Sequence, residues 1–396
     1  MLDLGHAPPS NAFLDADQLR GPETWYPLRI LVCQTCWLVQ TQEHGAGDKL
    51  FGDDYAYFSG YSSTWLAHAQ AYVQAMVDRF ALGPGSMVVE IAANDGYLLQ
   101  YVQDAGVPCY GVEPTSGTAA VARSKGLEIV QEFFGVALAR QLRAQGRQAD
   151  LMVANNVLAH VPDINDFVAG FAELLKPQGV ATFEVPHLLQ MVQGCQFDTA
   201  YHEHYYYLSL TAVDRIFAAN GMAVFDVQAL TTHGGSLRVF AQRLDAGNAP
   251  RSRAVDDMLA QERDAGVLGP ALYEELQEQA LRIKQALLEY LLRCRQKGVS
   301  VAAYGAAAKG NTLLNFAGVR ADLLPFVVDR NPAKQGRFLP GSRIPVFDES
   351  ALTLQRPDRI LILPWNLKEE IMAQLAYARQ WGVRFVTAVP RLEEFS

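Results

Sequence analysis

Cysteine is scarce in this chain: five residues in 396, three of them (Cys109, Cys195 and Cys294) widely scattered. That usage excludes the disulfide framework of a small secreted domain. Apolar runs are too short to span a bilayer, and Met1-Leu-Asp-Leu-Gly-His6 lacks the basic and apolar regions of a secretory signal. Basic residues are in the minority, and the net charge of −9 argues against nucleic acid as a main partner, while leaving room for a local basic pocket that takes a small phosphate ligand. The expectation is a cytoplasmic protein without membrane or nucleic-acid partners, and a monomer is compatible with it. Tandem repeats and low-complexity tracts are also missing. Half of the residues are apolar and 19% are charged, enough bulk for two or three cores.

Residues 1–50 are rich in turn signals, with Pro8, Pro9, Pro22 and Pro27 and the knuckle Cys33-Gln-Thr-Cys36. A CxxC pair supplies half of a tetrahedral zinc site, but no second CxxC exists in the chain, and His6 and His44 are poorly spaced to complete it. Local sequence leaves free thiols and bound zinc equally open. Within 51–245, strand and helix patterns alternate. Met87–Ala92, Pro108–Glu113, Leu127–Val130, Asp150–Asn155 and Gly179–Val185 read as strands of a parallel, doubly wound sheet. A helix from about Thr211 to Ala219 and strands near Ala223–Val227 and Leu237–Gln242 predict an antiparallel addition at the edge. Residues 246–297 read as a helical connector with no site of its own. A smaller α/β unit fills 298–396, with strands at Val299–Gly305, Pro325–Asp329 and Arg359–Leu363 and a helix near Asn311–Phe316.

Three places carry chemistry. The first is Tyr201-His-Glu-His-Tyr-Tyr-Tyr207, where two imidazoles and a carboxylate are crowded by phenols. Such polar tips are costly to bury unless each finds a partner, and imidazole is suited to moving protons near neutrality. The second is the turn after the first strand, Glu90-Ile-Ala-Ala-Asn-Asp-Gly96. A dinucleotide site wants three spaced glycines there, whereas this turn has one glycine and two acidic residues. That suits a cationic ligand with a ribose diol, such as S-adenosylmethionine, with Glu113 at the end of the second strand placed to hold the ribose hydroxyls. The third is Gly305-Ala-Ala-Ala-Lys309-Gly-Asn-Thr312, which departs from a phosphate loop because Asn311 replaces the lysine before Thr312. Its amides and Lys309 remain candidates for a diphosphate, with a plain strand-to-helix turn equally open.

Taken in order, these segments resemble the sugar C-methyltransferases that act on nucleotide-linked 4-keto-deoxyhexoses. The resemblance runs through Leu2-Asp-Leu-Gly-His-Ala-Pro-Pro-Ser-Asn11, Cys33-Gln-Thr-Cys36, Asp54-Tyr-Ala-Tyr-Phe-Ser59, Glu90–Gly96, Asn156-Val-Leu-Ala-His-Val-Pro162, Tyr201-His-Glu-His204, Tyr304–Asn311 and Leu363-Pro-Trp-Asn366. It implies a class I methyltransferase-type sheet, mostly parallel with an antiparallel last strand, a Rossmann-like second domain, and a small zinc-ribbon remnant held by Cys33 and Cys36. Similar proteins carry an earlier CxxC ahead of the Leu-Asp-Leu-Gly segment. Its absence here implies either that the start lies upstream or that this version has lost the metal.

By motif, the resemblance makes His204 the proton-abstracting base, with Tyr201 and Glu203 orienting it or sharing its proton, and Tyr55 a further catalytic phenol. It places Tyr57, Glu90, Asn94, Gly96, Glu113 and Asn155 around S-adenosylmethionine. Asn156, His160, His202, His233 and Lys309 fall around the nucleotide-linked (dTDP-linked) keto-sugar, and His160 and His187 are expected as pocket walls. The implied reaction removes a proton beside the ketone, at carbon 3 or carbon 5, and methylates the resulting enolate. A non-catalytic binder of the same ligands and a nicotinamide-dependent nucleotide-sugar oxidoreductase are the rivals; the acidic first turn disfavours the second.

Overall fold

The computed structural model describes residues 1–42 and 58–396. Its first sheet joins β1 (Leu2–Ala7), β2 (Tyr26–Val32) and β3 (Val39–Thr41) antiparallel. Alternation along β1 and β2 buries Leu2, Leu4, Leu28 and Ile30 on one face. Cys33 and Cys36 occupy the β2–β3 turn, where the Trp37 amide donates to the Cys33 carbonyl at 2.9 Å.

The central sheet begins with five parallel strands: β4 (Val88–Ile91), β5 (Cys109–Val112), β6 (Ile129–Val130), β7 (Ala149–Asn155) and β8 (Leu175–Pro186). Every residue of β4 is buried, as helices on both faces require. A two-residue strand, β9 (Tyr206–Tyr207), leaves this sheet and pairs with β3. The chain then returns through β10 (Met222–Leu230) and β11 (Ser236–Arg243), and β11 runs antiparallel to both β10 and β8. The order is β10-β11-β8-β7-β4-β5-β6. Winding therefore reverses between β4 and β7, and the crest above that point is where such sheets bind ligands. This is the doubly wound, mostly parallel architecture expected from the sequence.

The third sheet holds β12 (Val301–Tyr304), β13 (Val327–Val328), β14 (Val346–Phe347), β15 (Arg359–Ile362), β16 (Arg384–Thr387) and β17 (Glu393–Phe395). Its order is β14-β13-β12-β15-β16-β17, with β17 antiparallel. Sequence reading misses β14, β16 and β17, which at two to four residues show no periodicity. The helix expected near Asn311–Phe316 begins at Ala308, because the alanines before it offer no breaker. Lys309 thus lies inside the first turn of that helix rather than in a loop ahead of it.

Two long helices, Arg253–Asp264 and Leu276–Gln296, dominate the stretch read as a connector. The first does more than connect. Its Glu262 is fully buried, accepts the Leu210 and Thr211 amides at 2.6 and 2.8 Å, and meets His187 Nε2 at 2.8 Å. A carboxylate at the start of the helix Leu210–Ala219 complements its dipole. His187, read as a pocket wall, is instead locked into this buried pair. A continuous apolar core runs from Leu28 and Ile30 through Phe197 and Tyr207 to Leu287, Leu314 and Leu361. It packs the first and third sheets and the segment before β9 into one body. Among the described residues, no helix is long and apolar enough to cross a membrane.

Candidate active site

The tract Tyr201–His204 is held from several sides. Asn11 Nδ2 donates to Glu203 Oε2 at 2.6 Å, the Tyr26 carbonyl lies 3.3 Å from His202 Nε2, and the Thr41 hydroxyl donates to the His204 carbonyl. From the β7 side, the Tyr205 amide donates to the Ala159 carbonyl at 2.7 Å, and His160 Nδ1 donates to the Glu203 carbonyl at 2.9 Å. From the third sheet's side, Thr312 Oγ1 donates to the Ala200 carbonyl at 2.8 Å. His202, Glu203 and His204 are each at most 8% exposed. The imidazoles are therefore interior, as the proton-transfer reading requires.

Their orientations differ from the expected ones. His204 Nδ1 lies 3.0 Å from the Thr199 carbonyl. A carbonyl only accepts, so Nδ1 carries the proton and Nε2 carries the lone pair. The Tyr201 ring covers His204 at 3.9 Å between centroids, and the His160 ring meets it edge-on at 4.6 Å. Glu203 does not orient His204: its carboxyl turns toward Asn11, and the Thr199 carbonyl takes the orienting role. His202 likewise turns toward β2 and meets the Tyr26 ring edge-on at 5.9 Å. The chain turns at His202 and Glu203, where the His204 amide donates to the Tyr201 carbonyl at 2.9 Å.

Burial sets the charges here. It lowers the His204 pKa well below the ordinary imidazole value, with further lowering from His160, Lys309 and His233 and an opposing effect of the Thr199 carbonyl. Burial also lowers His160 to about 4 and His233 to about 4. Glu203 moves the other way, to about 7, because burial outweighs its Asn11 bonds. At neutral pH the three imidazoles are uncharged and able to accept protons.

The crest of the central sheet carries acceptors. Glu90 stands near the end of β4, where burial raises its pKa well above the usual carboxyl value, the Tyr97 hydroxyl opposes, and Asp95 and Glu113 add to the rise. Both Glu90 oxygens, Asp95 Oδ1, Asn155 Oδ1 and Asn156 Oδ1 are buried without a well-formed hydrogen bond. Buried acceptors left in this state call for donors or a cation. They fit the ammonium and sulfonium of S-adenosylmethionine. Glu113 braces the turn: its two oxygens accept the Asn94 and Thr115 amides, each at 2.9 Å, and each keeps a further lone pair. Asn94 adopts a left-handed φ of 50° and accepts the Ser59 amide at 2.9 Å. Gly96 has φ of 74°, and a Cβ there would come within 2.3 Å of Leu127 Cδ1. Tyr55 and Tyr57 lie outside the described residues.

Trp65, which sequence reading misses, links Tyr97 at the crest to His233 and His68. Its ring lies 5.8 Å from Tyr97, 5.1 Å from His233 and 4.9 Å from His68. His233, at a left-handed φ of 55°, accepts from Asn156 Nδ2 at 3.3 Å. His68 rests on Glu184, which Arg238 also grips at 2.6 Å. Burial alone would raise Glu184, yet His68 and Arg238 hold it below the usual value.

Lys309 is half-buried, 2.7 Å from Asn366 Oδ1 and 4.9 Å above the Trp365 ring. The Trp365 indole donates to Asp198 at 2.8 Å. Lys309 therefore joins the histidine cluster. The strand-to-helix turn itself is closed by Asp329, which accepts the Ala306 amide at 2.7 Å and pairs at 3.8 Å with Lys334, whose ammonium donates to the Ala306 carbonyl.

Cys33 is partly exposed, and hydrogen bonds from the Cys36 and Thr35 backbone and side chains lower its pKa to about 7. Two thiols remain half a zinc set. Among the described residues no three or more His, Cys, Asp or Glu side chains gather in a way that would hold a metal. His44 lies outside them.

Three family models match the chain: "Putative zinc binding domain" over residues 1–51, "Methyltransferase domain" over 65–227, and "C-methyltransferase C-terminal domain" over 231–390. The chain is 33% identical over 390 residues to C-methyltransferase NovU of Streptomyces niveus, covering 98% of this chain and 92% of that one. It is 30% identical over 101 residues to a ubiquinone biosynthesis O-methyltransferase of Bordetella avium, covering 25% and 42% of the two. A solved magnesium protoporphyrin IX methyltransferase from Synechocystis with bound SAH has a TM-score of 0.37 at 16% identity, covering 45% of this chain and 83% of that one. With near-complete coverage by a C-methyltransferase, and with a buried acceptor crest on a doubly wound sheet, the chain belongs to the C-methyltransferase family and is an S-adenosylmethionine-dependent enzyme.

Proposed function

We propose that the enzyme methylates a carbon beside the ketone of a nucleotide-linked 4-keto-deoxysugar, with His204 as the base. The observation that carries this reading is the His204 ring: buried, uncharged, and presenting Nε2 as its lone-pair nitrogen because Nδ1 is committed to Thr199. A carbon nucleophile must be made by removing a C–H proton, and a ketone next to that carbon is what renders the proton removable. The full-length similarity to NovU, named as a C-methyltransferase, supports carbon as the acceptor atom.

In this mechanism His204 Nε2 takes the proton while the Thr199 carbonyl stabilises the imidazolium through Nδ1. A positioned base of this kind is typically worth about 100- to 10,000-fold. Tyr201 covers the ring and fixes its plane. Glu90, Asp95 and Asn155 hold S-adenosylmethionine, which supplies an electrophilic methyl group when bound. Trp65 and His233 stand between the two halves of the site. Lys309 and Asn156 border the sugar's side.

Mass spectrometry of products from a small panel of nucleotide-linked keto-sugars, incubated with S-adenosylmethionine, tests the reading. The expected result is a one-methyl mass gain on the sugar of a 4-keto member and none on its 4-hydroxy counterpart. Equal methylation of both would overturn it.

A further inference from the structure

We infer that Lys309 is the cation that receives the enolate oxygen, a catalytic group delivered to the histidine site by the third sheet's first helix. This deepens the proposed function and rests on it. Lys309 and Thr312 are three residues apart in the helix Ala308–Ala317 and so share a face. Thr312 on that face donates to the Ala200 carbonyl at 2.8 Å, one residue before Tyr201. The same helix is tied to the amino-terminal segment, where Asn311 Nδ2 donates to the Ser10 carbonyl at 2.6 Å. Lys309 therefore has a fixed place relative to the tract.

Its surroundings are those of a stored positive charge. A cation in the first turn of a helix is disfavoured by the helix dipole, and burial further lowers the Lys309 pKa. Asp198 offsets part of that lowering through space but makes no direct bond to the ammonium: its Oδ2 accepts from Trp365, and its Oδ1 has no well-formed bond. Lys309 Nζ is bonded to the neutral Asn366 and lies over an aromatic face. Trp365 is itself clamped from the far side, where a Cβ at Gly234 would come within 2.7 Å of its Cη2. A fold that holds an ammonium this way beside the neutral imidazoles of His204 and His233 keeps it ready for an anion.

The chemistry balances on groups already named. His204 Nε2 takes the proton, the C–H pair becomes the carbon–carbon double bond, and the carbonyl π pair moves onto oxygen, where the Lys309 ammonium meets it. Lys309 also disfavours the imidazolium of His204. It accelerates the step only by standing nearer the oxygen than the ring, which agrees with its direct bond going to Asn366.

The test compares wild type, Lys309→Met and Lys309→Arg on a nucleotide-linked 4-keto-sugar that the wild type methylates. The Met variant is expected to lose about 100- to 1,000-fold in kcat, as removal of one oxyanion donor does, with KM changed less than about 5-fold. The Arg variant should recover about 10-fold or more. The acid limb of the kcat/KM profile should move to higher pH in the Met variant, because His204 loses a neighbouring cation while His160 and His233 stay. Near-normal kcat in the Met variant, or lost affinity with unchanged kcat and an unmoved acid limb, overturns the role. A wild type that methylates no keto-sugar in the panel overturns the proposed function, and this inference with it.

Discussion

The Thr199 carbonyl lies 3.0 Å from His204 Nδ1, five residues away in sequence, and that single contact decides which nitrogen of the ring is basic. It also predicts the pH profile. A base works only when deprotonated, so activity falls as pH drops through its pKa. Burial lowers that pKa well below 6.5, the ordinary imidazole value, and moves the limb to lower pH. The kcat/KM of the wild type should stay flat from pH 8 down to 6.5. A limb centred at or above 6.5 would assign the proton transfer to another group.

Binding of the methyl donor should release a proton. Glu90 is buried with a raised pKa, which favours its neutral form, and a cationic ligand beside it pulls the carboxyl back to its charged form. Calorimetric titration with S-adenosylmethionine in buffers of different ionisation enthalpy reads this directly. The expectation is net proton release in the wild type and none in Glu90→Gln, with affinity about 10- to 100-fold weaker. Proton release that persists in the Gln variant would place the titrating group elsewhere.

Glu203 should weaken the fold as pH rises. Its folded pKa of about 7 stands above the ordinary 4.5, so between those values the native state holds a proton that the unfolded chain has lost. Stability from this group is full below 4.5 and declines up to about 7. His160 and His233 act oppositely, losing stability as pH falls from 6.5 to about 4. Glu203→Gln can still accept from Asn11, so it should match wild type at pH 5 and exceed it at pH 8 by roughly 2–3 kcal/mol. Urea melts at both values check this. A variant less stable at pH 8 contradicts the burial argument.

Glu262 should matter to stability far more than its place in a connector suggests. Glu262→Ala leaves the Leu210 and Thr211 amides and His187 without their acceptor in a dry interior. The cost should be about 3–5 kcal/mol, as for breaking a buried pair by removing one partner. Thermal melts of the variant would show it. A change below about 1 kcal/mol would mean that water replaces the carboxylate.

Much of this was legible in the sequence, and the rest was not for identifiable reasons. The parallel strands read correctly because strands buried on both faces are short, mostly apolar runs, as in Val301–Tyr304 and in Val88–Ile91 apart from Glu90. S-adenosylmethionine as the cofactor was legible because acidic residues and a single glycine in the β4 turn disfavour a dinucleotide. The tract was visible as a cluster, but not the direction of each ring. Glu203 turning to Asn11 is a contact across 192 residues, which no local pattern encodes. The same holds for His68 with Glu184, 116 residues apart, and for Trp365 with Asp198, 167 apart. Lys309 looked like part of a phosphate turn because its immediate neighbours are small. Only the tertiary fold brings Asn366, Trp365 and the histidines to it.

Solvent exchange bears most directly on the claim that the buried imidazole generates the carbon nucleophile. A nucleotide-linked 4-keto-sugar is incubated with the enzyme in deuterated water, and proton NMR follows the hydrogens beside the ketone. The wild type should exchange one of them, and His204→Gln, with its affinity for S-adenosylmethionine retained, should exchange none above the uncatalysed rate. Exchange at the wild-type rate in that variant, or methylation by the wild type of a substrate with no hydrogen beside a ketone, would contradict the account.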